Sequence, residues 1–306
     1  MIDLIIPYYN NPQGIMDTLN SINFNIFNVT IVDDGSNNYL PPTLFGAQVF
    51  RYNDNRGPGR ARQWGLDHTN NPYVMFIDTG DIFISKEIQE YIANVIQANP
   101  SSDVISFSYY YKDQITSDTD NRMHGKVYKR EFLNKYNIRF APEGSYLDED
   151  IGFNHACRMC TDILFMHKPV IRWIENENSL TQKNNQESLY KNQTRALSIN
   201  IIHAIENCRN YHVNISHEIY QITYALYYWI VRTIIERPEF AKEAWSGAKI
   251  FFDKYVDEID VTQLVGGNAY IKKLIARRDK IRFPINILRF IDDMKNFEII
   301  PDKYLT

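Results

Sequence analysis

Three groups of carboxylates punctuate the chain: Asp33/Asp34, Asp78/Asp81 and Asp148/Glu149/Asp150. The first two close apolar runs, Val29–Val32 and Val74–Ile77, and the third precedes the apolar stretch Ile151-Gly152-Phe153. One Asp at such a point is ordinarily a turn former or a helix cap, and acids ahead of a helix suit its dipole. Two groups that end successive parallel strands would share one edge of a sheet, and that edge is where open α/β sheets bind ligands. Between them lies Asn55-Arg56-Gly57-Pro58-Gly59-Arg60-Ala61-Arg62, a glycine-rich turn opening a helix and carrying three arginines. A helix amino terminus and arginines attract phosphate, and carboxylates attract a hard cation. The combination points to a nucleotide diphosphate held with a divalent metal.

These residues must be positioned by strands and helices that the apolar pattern outlines. Leu4–Ile6 reads as a strand ending in the turn Pro7-Tyr8-Tyr9-Asn10-Asn11-Pro12, after which Ile15, Leu19 and Ile22 recur at helical spacing. Val29–Val32 and Gln48–Arg51 read as further strands, and Val74–Ile77, with no helical period, suits a strand buried on both faces. Lys86 to Asn99 predicts a helix with Ile88, Tyr91, Ile92, Val95 and Ile96 on one face, and Val104 begins another strand. This alternation argues for α/β architecture, a mostly parallel sheet with right-handed crossovers. The pattern changes after about residue 183, where Asn184–Glu206, Ser216–Glu236 and Pro238–Tyr255 read as helices. The expected organisation is an α/β domain over 1–183 and a helical region over 184–306.

At 306 residues with a net charge of −4, from 33 basic and 37 acidic residues, the chain has a sizeable core and no global basic field for nucleic acid. Three cysteines cannot build a disulfide framework, so a reducing, cytoplasmic setting is expected. Cys157-x-x-Cys160 has no second cluster to complete a zinc site and reads as helix packing. No signal peptide is recognisable, and no segment reaches the roughly 18 apolar residues of a membrane span.

The ordered motifs resemble a family. Ile5-Ile6-Pro7-Tyr8-Tyr9-Asn10, Val32-Asp33-Asp34-Gly35-Ser36, Asn55-x-Gly57…Ala61-Arg62…Gly65 and Phe76-Ile77-Asp78-Thr79-Gly80-Asp81 follow at the spacings of family-2 glycosyltransferases with the GT-A fold. The likeness continues through Lys126–Leu133 and Ile138-Arg139-Phe140 to Glu149-Asp150, about the first 180 residues. It implies a Rossmann-like GT-A sheet flanked by helices, a nucleotide-sugar donor, usually a UDP-sugar, and inversion at the anomeric carbon. It also implies that Asp34 reads the uracil edge with Pro7 and Tyr9 beside the base, and that Arg62 approaches the base or diphosphate. Asp81 matches the last acid of the Asp-x-Asp motif that ligates Mg²⁺ or Mn²⁺, Asp78 an acid just before that motif, and Asp150 the catalytic base. Gly80 departs from the pattern, standing where the motif's first acid is expected, and Gln63 replaces a more usual Asn.

Two other readings compete with an inverting, metal-assisted transferase. Gly80 motivates a nucleotide-sugar-binding protein without turnover, against which the Glu149-Asp150 pair argues. A nucleotidyltransferase would place a Gly-rich loop and a Lys after the first strand, where Pro7-Tyr8-Tyr9-Asn10 stands instead. The acceptor is open among a glycan, a lipid-linked substrate, a polymer and a modified nucleic acid. Lys272 to Arg289 interleaves basic and apolar residues, which would suit an anionic platform or peripheral membrane contact as well as a packed helix with a solvated face. Lys126, with His124 close by, could touch phosphate, though such a Lys is more often solvated, and Tyr8, Tyr146 and Trp173 are stacking candidates.

Overall fold

A computed structural model describes residues 1–116, 122–143, 146–175, 186–211, 213, 215–259 and 287–304. The chain begins β1 (Ile2–Tyr8), α1 (Pro12–Ser21), β2 (Phe27–Asp34), β3 (Thr43–Leu44), β4 (Ala47–Tyr52), α2 (Pro58–Asp67) and β5 (Tyr73–Phe76). It continues β6 (Ile82–Phe83), α3 (Lys86–Ala98), β7 (Val104–Tyr111), β8 (Gln114–Thr116), β9 (Lys126–Lys129), α4 (Arg130–Lys135), α5 (Glu149–Cys160) and β10 (Ile163–Trp173). Then come α6 (Gln186–Arg209), α7 (Ser216–Glu236), a 3₁₀ turn Pro238–Phe240, α8 (Ala241–Tyr255) and a helix over Ile287–Asn296.

The strands form one sheet in the order β3-β4-β2-β1-β5-β9-β7-β10-β6, with β8 on β7. β4, β2, β1 and β5 run parallel, as expected, and β10 is parallel to β7. β9 departs from that pattern: it enters antiparallel between β5 and β7. Its amino-terminal end therefore lies at the carboxyl edge of β5. β1 is central because it is apolar on both faces. Leu4, Ile6 and Tyr8 join one core cluster and Ile5 another, since successive strand side chains point to opposite faces.

Helices cover both faces. Ile15 and Leu19 of α1 and Ile88, Ile92, Val95 and Ile96 of α3 pack on the first face. Leu66 of α2, Phe132 and Leu133 of α4, and Phe153, Ala156 and Cys157 of α5 pack on the second. Ala204 and Cys208 of α6 belong to that second cluster too, so residues on both sides of position 183 share one core. α6, α7, α8 and the Ile287–Asn296 helix enclose a further core around Trp245, Phe251, Phe252 and Phe290. Among the described residues no helix is long and apolar enough to cross a membrane. The basic segment named above lies outside the described residues from Lys272 to position 286, as does the expected boundary at 183.

Candidate functional site

Strand carboxyl ends converge on a cleft of about 380 Å³, within the roughly 300–1,000 Å³ of small-molecule sites. β1 contributes Pro7 and Tyr9 at its end, β2 contributes Asp34, and the segment after β5 contributes Asp78, Thr79 and Asp81. Arg122 and His124 reach it from the entry to β9, Tyr146 to Asp150 from the start of α5, and Trp173 and Ile174 from the end of β10. Every residue singled out from the motifs, Pro7, Tyr9, Asp34, Arg62, Asp78, Asp81 and Asp150, lines this one cleft.

The two acids ending β2 divide their work. Asp33 is buried beneath the edge, where it accepts from Arg51 Nη1 (2.5 Å) and from the Ser36 amide (2.9 Å). Asp34 accepts from the amides of Arg56 (2.8 Å) and Gly57 (2.7 Å), fastening the glycine-rich turn to β2. Burial raises the Asp34 pKa and those two amides partly oppose it. Two of the carboxylate's roughly four acceptor positions are thereby used, leaving capacity for a ligand N–H. Tyr9 and Tyr146 are about half exposed, at 48% and 50%, and the Tyr146 hydroxyl donates to the Asn55 carbonyl at 3.0 Å. Tyr8, a stacking candidate by sequence, is 2% exposed and belongs to the core while also bordering the cleft.

The loop after β5 is held from three sides. Thr79 Oγ1 donates to the Pro7 carbonyl (2.7 Å), the Gly80 amide donates to Thr18 Oγ1 (2.9 Å), and the Ile174 amide donates to Asp81 Oδ1 (3.0 Å). Gly80 has φ +107°, outside the backbone range that side-chain-bearing residues ordinarily adopt. An Asp at that position would be strained, which gives a physical reason for the missing acid.

His124, singled out by sequence only as a neighbour of Lys126, stands beside both acids of the loop. Its Nε2 lies 3.2 Å from Asp81 Oδ2 and 3.8 Å from Asp78 Oδ2. Asp78, Asp81 and His124 each offer a ligand atom, all within 4.8 Å of one another. Asp81 Oδ2 and both His124 ring nitrogens are buried without an aligned hydrogen bond among the described residues. Buried polar atoms are rarely left so, and two carboxylates with an imidazole form a donor set that fits a divalent cation. Burial raises the Asp81 pKa against the pull of His124, while Asp81 and Asp78 raise that of His124 against its own burial. Trp173 stacks on the imidazole at 4.8 Å and 28°, fixing the ring plane.

Arg62 is placed differently from its expected approach to base or diphosphate. It is 4% exposed, and its guanidinium is engaged by Asp78 through Nη2 and by Glu149 Oε1 through Nη1 at 2.5 Å. The two carboxylates raise its pKa despite burial. Burial also works against ionisation of Asp78, but Arg62 and then His124 outweigh it and lower the pKa. Burial pushes Glu149 up to about 7 against the opposing pull of Arg62. Arg56, the exposed arginine of the turn, pairs with Asp54 instead. Lys126 is not solvated: it is buried, and its Nζ donates to the Arg122 carbonyl.

At the start of α5, Asp148 takes a left-handed conformation (φ 53°), and Gln193 of α6 donates to its Oδ2. Burial, then the charges of Asp150 and Glu149, push its carboxyl up to about 8, with Arg122 opposing. Asp150 follows in the first helical turn, half-buried on the cleft wall, where its Oδ1 accepts from the Ile151 amide at 3.0 Å. The arrangement sets a cluster able to hold a cation and a row of carboxylates around one cavity. Such a cleft can neutralise a leaving group and take a proton from an incoming one.

Comparison with known proteins agrees with this geometry. The family model for glycosyl transferase family 2 matches residues 3–161, just over half of the chain. Two uncharacterized glycosyltransferases of Haemophilus influenzae are 28% identical over 109 residues and 27% identical over 116, spanning 32% and 36% of this chain. The chain matches 43% and 38% of those two proteins, less than half of their length. Among solved structures, S. aureus TarS 1–349 in complex with UDP-GlcNAc has a TM-score of 0.53 at 18% identity, covering 84% of this chain and 92% of that one. The mannosyltransferase PcManGT from Pyrobaculum calidifontis, in complex with GDP-Man and Mn²⁺, has a TM-score of 0.53 at 14% identity, covering 96% and 84%. At such identities the likeness is one of fold, and that fold is GT-A. By the match over residues 3–161 the chain belongs to glycosyl transferase family 2, and its fold is that family's GT-A fold.

Proposed function

We propose that the chain transfers a sugar, with inversion, from a uridine diphosphate sugar to an acceptor hydroxyl. The observation that carries this reading is the meeting, in one cleft, of the Asp78/Asp81/His124 cluster with the α5 carboxylates. Pro7, Tyr9 and Asp34 receive the base at the β1 and β2 ends. Asp81, with Asp78 and His124, holds Mn²⁺ or Mg²⁺, which when bound supplies positive charge to the leaving diphosphate. Asp150 accepts the acceptor hydroxyl's proton as that oxygen attacks the anomeric carbon. The anomeric C–O bond breaks with its electron pair going to the phosphate oxygen. Arg62 keeps the cluster and the first turn of α5 in fixed relation through Asp78 and Glu149. The sheet and the helices packed on it form the donor-binding and catalytic part, and α6 buttresses α5.

Incubating the protein with a panel of UDP- and GDP-sugars and either Mn²⁺ or chelator tests this reading, with nucleoside diphosphate release and product anomeric configuration measured. Metal-dependent release of UDP with an inverted product is expected. Binding of a nucleotide sugar without release under any condition would favour the turnover-free alternative, and retention of configuration would exclude Asp150 as base in a single displacement.

A further inference from the structure

The transfer chemistry uses none of the three cysteines, yet two of them meet where α5 packs on α6. Cys160 is the last residue of α5, and Cys208 stands near the end of α6, 48 positions further along the chain. Their sulfurs are 3.3 Å apart, with the Cys208 thiol donating to Cys160 Sγ. Cys208 is fully buried, and its sulfur also lies 3.6 Å from the Ala156 carbonyl oxygen of α5. Cys160 is half-buried, so a small solute in water has access to one sulfur of the pair and not to the other. The carboxyl end of a helix does not favour a thiolate, but a thiol donor does. The Cys208 thiol lowers the Cys160 pKa against burial, and the same contact raises that of Cys208. Cys157, one turn earlier on α5, is sealed in the core, and burial raises its pKa.

We propose that Cys160 and Cys208 are an oxidation site, at which hydrogen peroxide joins α5 to α6 through a reversible disulfide. The Cys160 thiolate attacks one peroxide oxygen, the O–O bond breaks, and the departing hydroxide takes a proton to become water, leaving a sulfenic acid. The Cys208 sulfur gives up its proton, attacks the Cys160 sulfur and displaces the hydroxyl as a second water. Two thiols are oxidised to one disulfide and one peroxide is reduced to two waters. The bond lies at the end of α5 opposite Asp150. At the near end, α6 already holds Asp148 through Gln193 and the Leu147 carbonyl through Asn200. Oxidation therefore pins the second end of a helix pair whose first end is fixed by hydrogen bonds, and it restricts the unfolded chain.

The test is to treat the folded chain with hydrogen peroxide, then count thiols, map cross-linked peptides by mass spectrometry and record thermal melting. Two of the three thiols should be lost. One intramolecular Cys160–Cys208 peptide pair should appear, and dithiothreitol should restore both thiols. The oxidised chain should melt about 5 °C higher, since the closed loop is long. In urea the pair nearest in sequence, Cys157–Cys160, should replace it, because short loops close more readily. Cys208→Ala should stop at a Cys160 sulfenic acid that dimedone traps, and Cys157→Ser should leave the cross-link intact. Three surviving thiols in the treated chain would overturn the proposal, as would a cross-link that is intermolecular or includes Cys157. The same cross-links with and without urea would also overturn it, and so would an oxidised chain that melts lower. Should either variant fail to fold, the unsubstituted chain decides the matter alone.

Discussion

In the proposed mechanism Asp150 and His124 carry the chemistry, and each makes a separate demand. Asp150→Asn keeps size and removes basicity, so donor binding should persist while transfer falls by about 10²–10⁴-fold. Wild-type transfer in that variant would pass the base to Glu149 or Asp148. His124→Ala should weaken Mn²⁺ at least tenfold by calorimetry, and should reduce the preference for Mn²⁺ over Mg²⁺, because the all-oxygen site that remains suits Mg²⁺ better. Asp78 and Asp81 were legible in sequence because they follow an apolar run, and Asp150 through its match to the family's Glu-Asp pair. His124 was not, because its partnership with Asp78 and Asp81 exists only once β9 has entered antiparallel beside β5. Asp148 adds a pH signature. Its carboxyl, pushed up to about 8 by burial and then by Asp150 and Glu149, stabilises the fold fully below its unfolded pKa, about 4. That contribution is lost as pH rises from about 4 through about 8. Asp148→Asn keeps an acceptor for Gln193 and tolerates φ 53°. It should therefore melt with the wild type near pH 4 and some 2–4 °C higher at pH 9, about 1 kcal/mol in a chain of this size.

At the scale of elements, the site is a set of strand ends and loop entries whose geometry the backbone dictates. β1, β2 and β5 were readable from apolar runs that stop at Pro7, Asp33 and Ile77, and the glycine-rich turn announced α2. The destination of Arg62 was less visible. An arginine at a helix start beside a glycine turn suggests phosphate, yet α2 carries this one inward to Glu149, 87 residues away in sequence. The loop after β5 makes a test of why this chain lacks the motif's first acid. Gly80→Asp would restore the family pattern on paper, but φ +107° is costly for any side chain, of order 1–3 kcal/mol. The variant should melt several degrees lower and gain no Mn²⁺ affinity. An increase in metal affinity without loss of stability would show that the loop relaxes and that the glycine is not dictated by its backbone.

Across the whole molecule, the sheet and the helical region are joined at α5. α5 starts with Glu149 and Asp150 in the cleft and then runs between the sheet and α6, with Phe153, Ala156 and Cys157 in the sheet-side core. α6 meets it at close quarters. Asn200 Nδ2 donates to the Leu147 carbonyl at 2.8 Å, Gln193 holds Asp148, and Cys160 Sγ lies 3.3 Å from Cys208 Sγ. The helices α6, α7 and α8 were legible as helical stretches, but the face of α6 given to α5 was not, because small and polar residues mark it. Gly152 is the tightest point. A Cβ there would stand 2.7 Å from the Asn200 carbonyl oxygen and 2.9 Å from the Asn200 Cβ, and the first of these is backbone that cannot swing aside. Helix propensity alone would favour alanine over glycine inside α5 by about 1 kcal/mol, so the sign of Gly152→Ala decides between local preference and packing. Overpacking of this kind costs about 1–3 kcal/mol, and relief requires α6 to move away from the turn that carries Asp148 and Asp150. Gly152→Ala should therefore lower the melting temperature and reduce kcat more than it changes the affinity for UDP, whose proposed contacts lie on the β1, β2 and β5 ends. A stabilised variant with unchanged kcat would mean that α6 yields freely and that the helical region does not set the position of the base.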